Sequence, residues 1–412
     1  MKSEERKNGN ARKGDTLPGA DSHLAVLNLI PQLPEQLSLF EEEPDTIDID
    51  LDVVLPEEIS FELDEGIAVV QSPEGLSVEV SGYGTRLGKQ SGRIVLKSRK
   101  GKTLWHIPFD RVQEVFIRSG GVSVSCETLL QCADRGIRVV LAGPDSRPRA
   151  VISSPVLSAT VEIRRAQLRA LENERGLEFA RSVCEAKIRN QAYLLRYFSK
   201  SADKNDESSS AVRGISDSML DLRKELRRHK WKSLSKARPA IMGIEGTAAR
   251  LYWNAVGILL SGHATFDGRS TRGARDFVNA CLNYSYGILY GHIWGAVLNA
   301  GLEPFAGFLH TDRPGKPSMV LDIIEPFRAP VADRAVISGI RTGHLQPASA
   351  ANPLGEELRA KLAETVLARL DAKEPFRGGR YMMRSIIQIS TRNAAAFLSC
   401  RADSFKTFSF KW

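Results

Sequence analysis

Residues 158–200, SATVEIRRAQLRALENERGLEFARSVCEAKIRNQAYLLRYFSK, decide the fold class of this 412-residue chain. Their apolar side chains recur at spacings of three and four, which is the period of an amphipathic helix, so the stretch predicts one long helix or two. Further helices are predicted over 221–236, 243–260 and 274–301, and near 353–371 and 376–398. The chain after Pro155 is therefore predicted to be helical.

The segment before Pro155 has a different pattern. Between about Gly66 and Ser154, short β-branched or aromatic runs alternate with turns rich in Gly, Pro, Ser and Asp, which predicts strands. The runs are GIAVVQ, LSVEVSG, GRIVLKS, TLWHIPF, VQEVFIR and RVVLAG, with one short helix predicted at ETLLQCADRG. The predicted fold class is α+β, with a small β-rich domain over 66–155 followed by a larger all-helical catalytic domain over 156–412.

Composition excludes several classes of protein. A hydrophobic fraction of 42% and a charged fraction of 26% are those of a globular protein rather than a disordered one. No apolar run approaches membrane-spanning length, and the N-terminus lacks the apolar region of a secretory signal. The five cysteines form no C-x-x-C pair, which argues against a zinc ribbon or a disulfide framework. A reducing, cytoplasmic location is the simplest interpretation.

Charge is distributed unevenly along the chain. Residues 41–65 carry twelve acidic side chains and no basic one, while residues 1–40 are balanced, so the net charge of +8 leaves +20 on residues 66–412. Residues 1–65 are predicted to be a flexible appendage, in which IDIDLDVV (47–54) could form a strand. The basic remainder favours nucleic acid as a partner, with improved solubility as the plain alternative.

Three segments supply candidate metal ligands. Glu245 lies among small and apolar residues in GIEGTAARLYW, where a pairing with Arg250 or a place near a helix N-terminus is the ordinary explanation. His310 opens a loop, and a lone histidine there is more often a structural residue. Asp322 and Glu325 are three residues apart among apolar neighbours. The following Pro326 disfavours helical geometry at Glu325 and predicts a kink or a helix end.

Together, Glu245, His310 and Glu325 offer two carboxylates and one imidazole. That set suits Mg²⁺ or Mn²⁺ better than zinc in a closed site. Beside a strongly basic body, such a metal indicates phosphoryl transfer on nucleic acid. The chain has no Walker-type phosphate-binding loop, and the segment GYGTRLG (82–88) has the wrong glycine spacing for a dinucleotide fingerprint and is predicted to be a hairpin turn.

The chain resembles the CRISPR-associated protein one family, the spacer-acquisition integrase and endonuclease, over roughly residues 66–400. The resemblance rests on four stretches in the family's order and spacing and on the helix around EAKIRNQ (185–191). The four are GIEGTAARLYW (243–253), NACLNYSYGILY (279–290), GLEPFAGFLH (301–310) and LDIIEPFR (321–328). It implies that Glu245, His310 and Glu325 are the metal ligands and that Asp322 is an auxiliary ligand or supports one. It also implies a homodimer, with its β-rich domain at the dimer contact, that works with a small ferredoxin-like second subunit.

The implied reaction is transesterification, in which the 3′-hydroxyl of a short double-stranded DNA attacks a phosphodiester of the CRISPR repeat. Basic side chains are candidate phosphate contacts, although a solvated basic face is an equal alternative for each. They are Arg223, Lys224, Arg227, Arg228, Lys230, Lys232, Arg250, Arg272 and Arg275. Two other interpretations stay open: a transposon-encoded integrase with the same core, and a structural DNA-binding subunit with a vestigial metal site.

The appendage contains a further motif. QLSLF (36–40) resembles the peptide by which bacterial proteins dock on the DNA polymerase sliding clamp, with Gln36, Leu37, Leu39 and Phe40 as the recognised side chains. The alternative is a short amphipathic turn packed on the body. A flexible arm suits peptide docking in an apolar pocket.

Overall fold

The computed structural model describes residues 60–63, 67–72, 75–80, 82–118, 120–143, 148–153, 160–200, 207–270, 276–347, 349 and 353–409. The appendage strand over 47–54, the clamp-like peptide at 36–40, and Arg272 and Arg275 lie outside these residues. The chain divides into one unit over Met1–Leu55 and a second over Pro56–Trp412. Everything that follows concerns the second unit.

Among the described residues, ten strands form two sheets in the first part of this unit. They are β1 (Ser60–Leu63), β2 (Ile67–Ser72), β3 (Gly75–Val80), β4 (Arg86–Gln90), β5 (Arg93–Lys97), β6 (Thr103–Pro108), β7 (Val112–Ile117), β8 (Ser123–Val124), β9 (Arg138–Ala142) and β10 (Pro148–Ile152). The six-stranded sheet has the order β1-β2-β3-β7-β9-β10, with β7 parallel to β3 and β9. The four-stranded sheet has the order β6-β5-β4-β8. Among the described residues, a 3-10 turn (Phe109–Arg111) and the helix α1 (Cys126–Asp134) interrupt the strands.

The strand predictions are confirmed where they were made, and the described residues hold four further strands, β1, β4, β8 and β10. The hairpin turn predicted over 82–88 is wrong in part, because the chain turns at Tyr83 and Gly84 and then enters β4, which lies in a different sheet from β3. Strand β1 pairs with β2 although it lies within 1–65, so the sheet extends beyond the start of the predicted β-rich segment. Strand β10 was not predicted, since PRAVI is short and contains a proline and an arginine. Alternating apolar side chains, among them Val78, Leu87, Ile94, Val115 and Val139, form one buried core between the sheets.

The second part of the unit is helical, which confirms the α+β class. Its helices are α2 (Thr160–Ala170), α3 (Glu174–Ser199), α4 (Glu207–Arg228), α5 (Leu234–Leu260), α6 (Phe277–Asn299), α7 (Ser318–Phe327), α8 (Arg334–Arg341), α9 (Glu356–Asp371) and α10 (Met383–Leu398). A π-helical turn, Arg328–Asp333, joins α7 to α8. Helix α3 packs against α4, α5 and α7, and it therefore lies at the centre of the helical core.

Two helix predictions are wrong. The basic helix predicted over 221–236 is divided between the end of α4 and the start of α5. The polar run 227–233 at this junction contains one large apolar side chain, Trp231, that packs against the helical core. The helix predicted over 376–398 begins only at Met383. Before it, strands β11 (Lys373–Phe376) and β12 (Gly379–Met382) form a hairpin whose turn places Arg377 and Gly378 at positive φ. A glycine in that turn is the expected hairpin signal.

Buried charges join the six-stranded sheet to helix α6. Glu79 of β3 pairs with Arg118 at 2.5 Å and lies 3.2 Å from His292 Nε2 of α6. Burial acts to raise the pKa of Glu79, but Arg118 and His292 outweigh it and hold that pKa far below its ordinary value. Gly295 of the same helix leaves room for the Glu114 carboxylate, since a Cβ there would lie 2.7 Å from it. The sheet and the helical part are thus fixed to each other.

Candidate metal centre

Three helices bring two carboxylates to one ammonium group. Glu245 lies on α5 and Glu325 on α7, and Lys187 of α3 forms ion pairs with both. The Lys187 Nζ atom is 2.6 Å from Glu325 Oε2 and makes a short contact with Glu245 Oε1. The Glu325 side chain is 2% exposed and that of Lys187 is 11% exposed. The two carboxylates therefore converge on one cation position that is largely screened from water.

The loop before α7 directs His310 toward the same place. The buried Asp322 carboxylate accepts the backbone N–H groups of Phe308 (2.6 Å), Leu309 (2.9 Å) and His310 (2.9 Å). Its Oδ1 also lies 2.7 Å from His310 Nδ1. Because a protonated Nδ1 donates to this acceptor, the Nε2 lone pair is left available, and Nε2 lies 3.9 Å from Glu325 Oε1. Asp322 thus orients the loop and the imidazole.

Positive charge around Glu325 keeps it ionised. Burial acts to raise its pKa, but Arg328, Lys187 and His310 together outweigh burial and lower the pKa from 4.5 to about 2. Arg328 Nη1 lies 3.0 Å from Glu325 Oε1. Since the pKa is lower in the folded state, ionised Glu325 stabilises the fold above pH 4.5, and this contribution is lost as the pH falls toward 2.

The sequence predicted a kink or a helix end at Pro326, and the α-helix does end one residue later, although Glu325 itself stays helical. Helix α7 continues to Phe327 and passes into the π-helical turn. In an α-helix the Pro326 carbonyl would accept the N–H of residue 330, but that residue is a proline and has none. The buried Asn190 side chain of α3 supplies the missing donor at 2.7 Å and donates also to the Phe408 carbonyl at 3.1 Å. An amide from a neighbouring helix thus supports the backbone immediately after Glu325.

A second buried carboxylate connects the helices that carry the two glutamates. Asp333, at the end of the π-helical turn, accepts hydrogen bonds from Tyr252 of α5 (2.8 Å) and Tyr286 of α6 (2.5 Å). Tyr252 lies two turns after Glu245 on α5. The Arg328 guanidinium lies over the Tyr286 ring, 5.1 Å from its centroid, and also contacts Glu325. Two sets of contacts therefore hold Glu245 and Glu325 at their present spacing. One is the Lys187 ammonium between the two carboxylates, and the other is Asp333 with its tyrosine partners.

The side chains of Glu245, His310 and Glu325 have the chemistry of ligands for a divalent metal, although they do not contact one another. Within the described ranges, no three His, Cys, Asp or Glu side chains are grouped closely enough to hold a metal ion. An ammonium, Lys187 Nζ, lies at the cation position instead. Glu325 Oε2 is buried beside it in an orientation that gives no hydrogen bond. Two carboxylates around one cation, with an imidazole nitrogen 3.9 Å from one of them, match the ligand preference of Mg²⁺ or Mn²⁺. Glu245, His310 and Glu325 would hold it.

Sequence matches to known proteins identify the family of this chain. Residues 78–371 match the sequence model of the family described as CRISPR associated protein Cas1. The chain belongs to the Cas1 family. It is 34% identical to the CRISPR-associated endonuclease Cas1 of Korarchaeum cryptofilum, over 77% of this chain and 93% of that protein. It is 32% identical to one of Archaeoglobus fulgidus, over 81% of this chain and 99% of that protein. The family resemblance seen in the sequence is confirmed.

Solved structures share the Cas1 fold. A casposase bound to an integration product superposes with a TM-score of 0.64 at 22% identity, covering 80% of this chain and 92% of the casposase. A CAS1 protein from Thermotoga maritima superposes with a TM-score of 0.61 at 18% identity, covering 82% of this chain and 99% of that one. In the part of the chain that is described, no helix is long and apolar enough to cross a membrane.

The candidate DNA contacts of this Cas1-family chain differ in their environment. Arg223 and Arg227 both pair with Glu185, at 3.8 and 2.7 Å, and Lys224 pairs with Asp221 at 2.8 Å. Four other candidates are exposed around the end of α4 and on α5: Arg228, Lys230, Lys232 and Arg250. Arg250 lies 3.4 Å from Thr247 Oγ1, and Glu245 pairs with Lys187 instead, so the predicted pairing with Arg250 is wrong. The alternative of a place near a helix N-terminus is also wrong, because α5 begins at Leu234.

Sequence reasoning did not identify Lys187, Asn190 and Arg328 as parts of the site. Lys187 and Asn190 lie three residues apart in EAKIRNQ, on a helix whose neighbouring positions Cys184 and Ile188 are fully buried. A lysine and an asparagine inside an apolar stripe each need a polar partner, because burying either without one is costly. That requirement could have predicted a carboxylate opposite Lys187, but not which one.

Proposed function

We propose that this protein is a metal-dependent DNA endonuclease and integrase of the CRISPR adaptation complex. The observation that supports it is that Glu245 and Glu325 share one cation and that His310 Nε2 lies 3.9 Å from Glu325 Oε1. The relatives described above are named endonucleases, and the casposase of similar fold was solved with an integration product. In the proposed transesterification, the 3′-hydroxyl of a short duplex attacks a phosphodiester of the CRISPR repeat. A new P–O bond forms, the P–O bond to the 3′-oxygen of the repeat strand breaks, and that oxygen leaves as a hydroxyl after taking up a proton, which balances the proton lost by the attacking hydroxyl.

The protein's contribution to this reaction is a set of metal ligands held in fixed positions. When bound, Mg²⁺ or Mn²⁺ polarises the phosphodiester and stabilises charge on the leaving oxygen. Glu245 and Glu325 would hold it from two helices, and His310 would present Nε2 because Asp322 occupies the other ring nitrogen. The 3′-hydroxyl of the DNA is the nucleophile, so no protein nucleophile is needed. The fixed helices α3, α5 and α7 keep these groups in place before DNA arrives.

The proposed assembly includes DNA and further protein chains. A structure of similar fold, at a TM-score of 0.64 and 18% identity, is a Cas6-RT-Cas1–Cas2 complex, and this chain covers 36% of that chain. We propose a homodimer that holds the DNA with a small second subunit. Exposed Arg228, Lys230, Lys232 and Arg250 are proposed to contact phosphates.

An integration assay tests the proposal. A labelled duplex, a plasmid bearing the repeat, the second subunit and Mg²⁺ or Mn²⁺ are expected to give joined product at the repeat, and a His310→Ala protein is expected to give none. Robust joining by His310→Ala would overturn the assigned ligands. Joining that ignores the repeat sequence would instead favour a transposon-type integrase.

We further propose that residues 36–40 bind the polymerase sliding clamp, on the strength of the QLSLF sequence alone. A fluorescent peptide spanning residues 30–46 is expected to bind purified clamp. A matched peptide in which Gln36, Leu39 and Phe40 are alanine is expected not to bind, because it lacks the polar and apolar anchors. Equal binding of the two peptides, or binding of neither, would contradict this part of the proposal.

A further inference from the structure

Lys187 occupies the position that the proposed function assigns to a metal. Its ammonium forms ion pairs with Glu245 and Glu325 together, and its side chain is 11% exposed. Two carboxylates held close together in a buried site repel each other unless a cation lies between them. In the absence of metal, Lys187 supplies that cation and keeps the site assembled.

An ammonium and a divalent metal cannot share this position. Both oxygens of Glu325 already contact cations, Oε2 with Lys187 Nζ at 2.6 Å and Oε1 with Arg328 Nη1 at 3.0 Å, and Lys187 also contacts Glu245 Oε1. A metal bound to the two carboxylates would therefore lie close to the ammonium and be repelled by it. The ammonium in its present place therefore opposes metal binding, and metal binding favours movement of the lysine away from the carboxylates.

The displaced ammonium then needs another anion. Among the described residues, the charged groups that act on it are Glu325, Glu245 and the repelling Arg328. Once the metal holds both carboxylates, a buried ammonium beside Arg328 has a large desolvation cost. A DNA phosphate is an anion that reaches this site with the substrate, and it pairs well with a lysine ammonium.

We propose that Lys187 is an internal competitor of the metal, and that a DNA phosphate becomes its counter-anion when the metal binds. This inference rests on the proposed function, because it assumes both a metal at Glu245, His310 and Glu325 and DNA as substrate. The consequence is that metal and DNA each strengthen binding of the other, by the same factor. Lys187 is in this sense a positioning residue that links metal loading to the presence of DNA.

Calorimetric titration of the full-length protein with Mn²⁺ alone, and with Mn²⁺ plus a short DNA duplex, tests this inference. We expect Lys187→Met, which keeps the apolar stem and removes the charge, to bind Mn²⁺ about tenfold more tightly than the unmodified protein in the absence of DNA. DNA should tighten Mn²⁺ binding by about tenfold in the unmodified protein and by about twofold or less in the variant. A matched control, Lys89→Met, removes a lysine paired with Glu127 at 2.9 Å in the β-rich part and should behave as the unmodified protein does.

Other outcomes separate the inference from the proposed function. Equal or weaker Mn²⁺ binding by Lys187→Met, with binding by the unmodified protein intact, overturns the role of Lys187 and leaves the proposed function standing. Absence of Mn²⁺ binding in both proteins, with and without DNA, overturns both. If Lys187→Met is unstable, the rise in Tm caused by Mn²⁺ in a Lys187→Gln protein gives the same comparison, since that rise reports metal affinity. A rise no larger than that of the unmodified protein also overturns the role of Lys187.

Discussion

A Glu325→Gln protein is expected to lose at least about a hundredfold of its strand-joining activity, and to bind Mn²⁺ more weakly by at least about tenfold. The amide has the size of the carboxylate but no charge, so it is a poor ligand for Mg²⁺ or Mn²⁺. The substitution also removes the shared partner of Lys187 and Arg328, which lie 2.6 and 3.0 Å from its two oxygens. Activity is measured in the integration assay and affinity by calorimetry.

Stability should change with the same substitution. Removing one member of a buried ion pair leaves the remaining charge without compensation, so we expect the free energy of unfolding to fall by about 3 kcal/mol in urea titration. Asp217→Asn is the matched control, since Asp217 is 65% exposed and pairs with Arg196 on the surface. This control should keep its activity, and its stability should change by less than about 1 kcal/mol. Unchanged joining by Glu325→Gln would show that Glu325 is not a ligand.

An Asn190→Leu protein is the second variant with a large expected effect. Leucine has a similar size but no N–H groups, so the carbonyls of Pro326 and Phe408 lose the donors that now lie 2.7 and 3.1 Å away. Each buried carbonyl left without a donor costs about 1–3 kcal/mol, measured as the free energy of unfolding in urea. Because Pro326 follows Glu325 directly, we also expect weaker Mn²⁺ binding.

Gln191→Leu is the control for this experiment. Gln191 is the next residue of α3 and is also buried, but its Oε1 atom has no hydrogen-bond partner within the described residues. Removing that amide should leave stability and Mn²⁺ affinity nearly unchanged. Similar losses in the two variants would mean that α3 tolerates no buried substitution, and the specific support of Pro326 would then be refuted.

Much of the fold was predictable because it is encoded locally. Periods of two and of three to four separate the strands from the helices, and the break between α2 and α3 follows from Asn173, whose side chain accepts the N–H of Arg175. Local patterns gave a wrong prediction between α4 and α5, where the residues favour a helix but contribute little to the core. The basic run after Leu226 has strong helix formers, yet it carries too little apolar surface to hold a helix against the core.

The candidate site was predictable only in part. Glu245, His310, Asp322 and Glu325 stand out because their motifs place polar groups among apolar ones. Lys187 could not be assigned to them, because its role depends on how α3 crosses α5 and α7, which no local pattern contains. The π-helical turn after Pro326 was missed for a related reason, since it is stabilised by Asn190, which is 136 residues away in sequence.

The central claim is that Glu245, His310 and Glu325 hold one metal ion. Anomalous diffraction from crystals of the protein grown with Mn²⁺ tests it most directly. We expect one manganese peak in contact with all three side chains, with the Lys187 ammonium withdrawn from both carboxylates. A manganese peak on other side chains, with Lys187 still bridging Glu245 and Glu325, would contradict it.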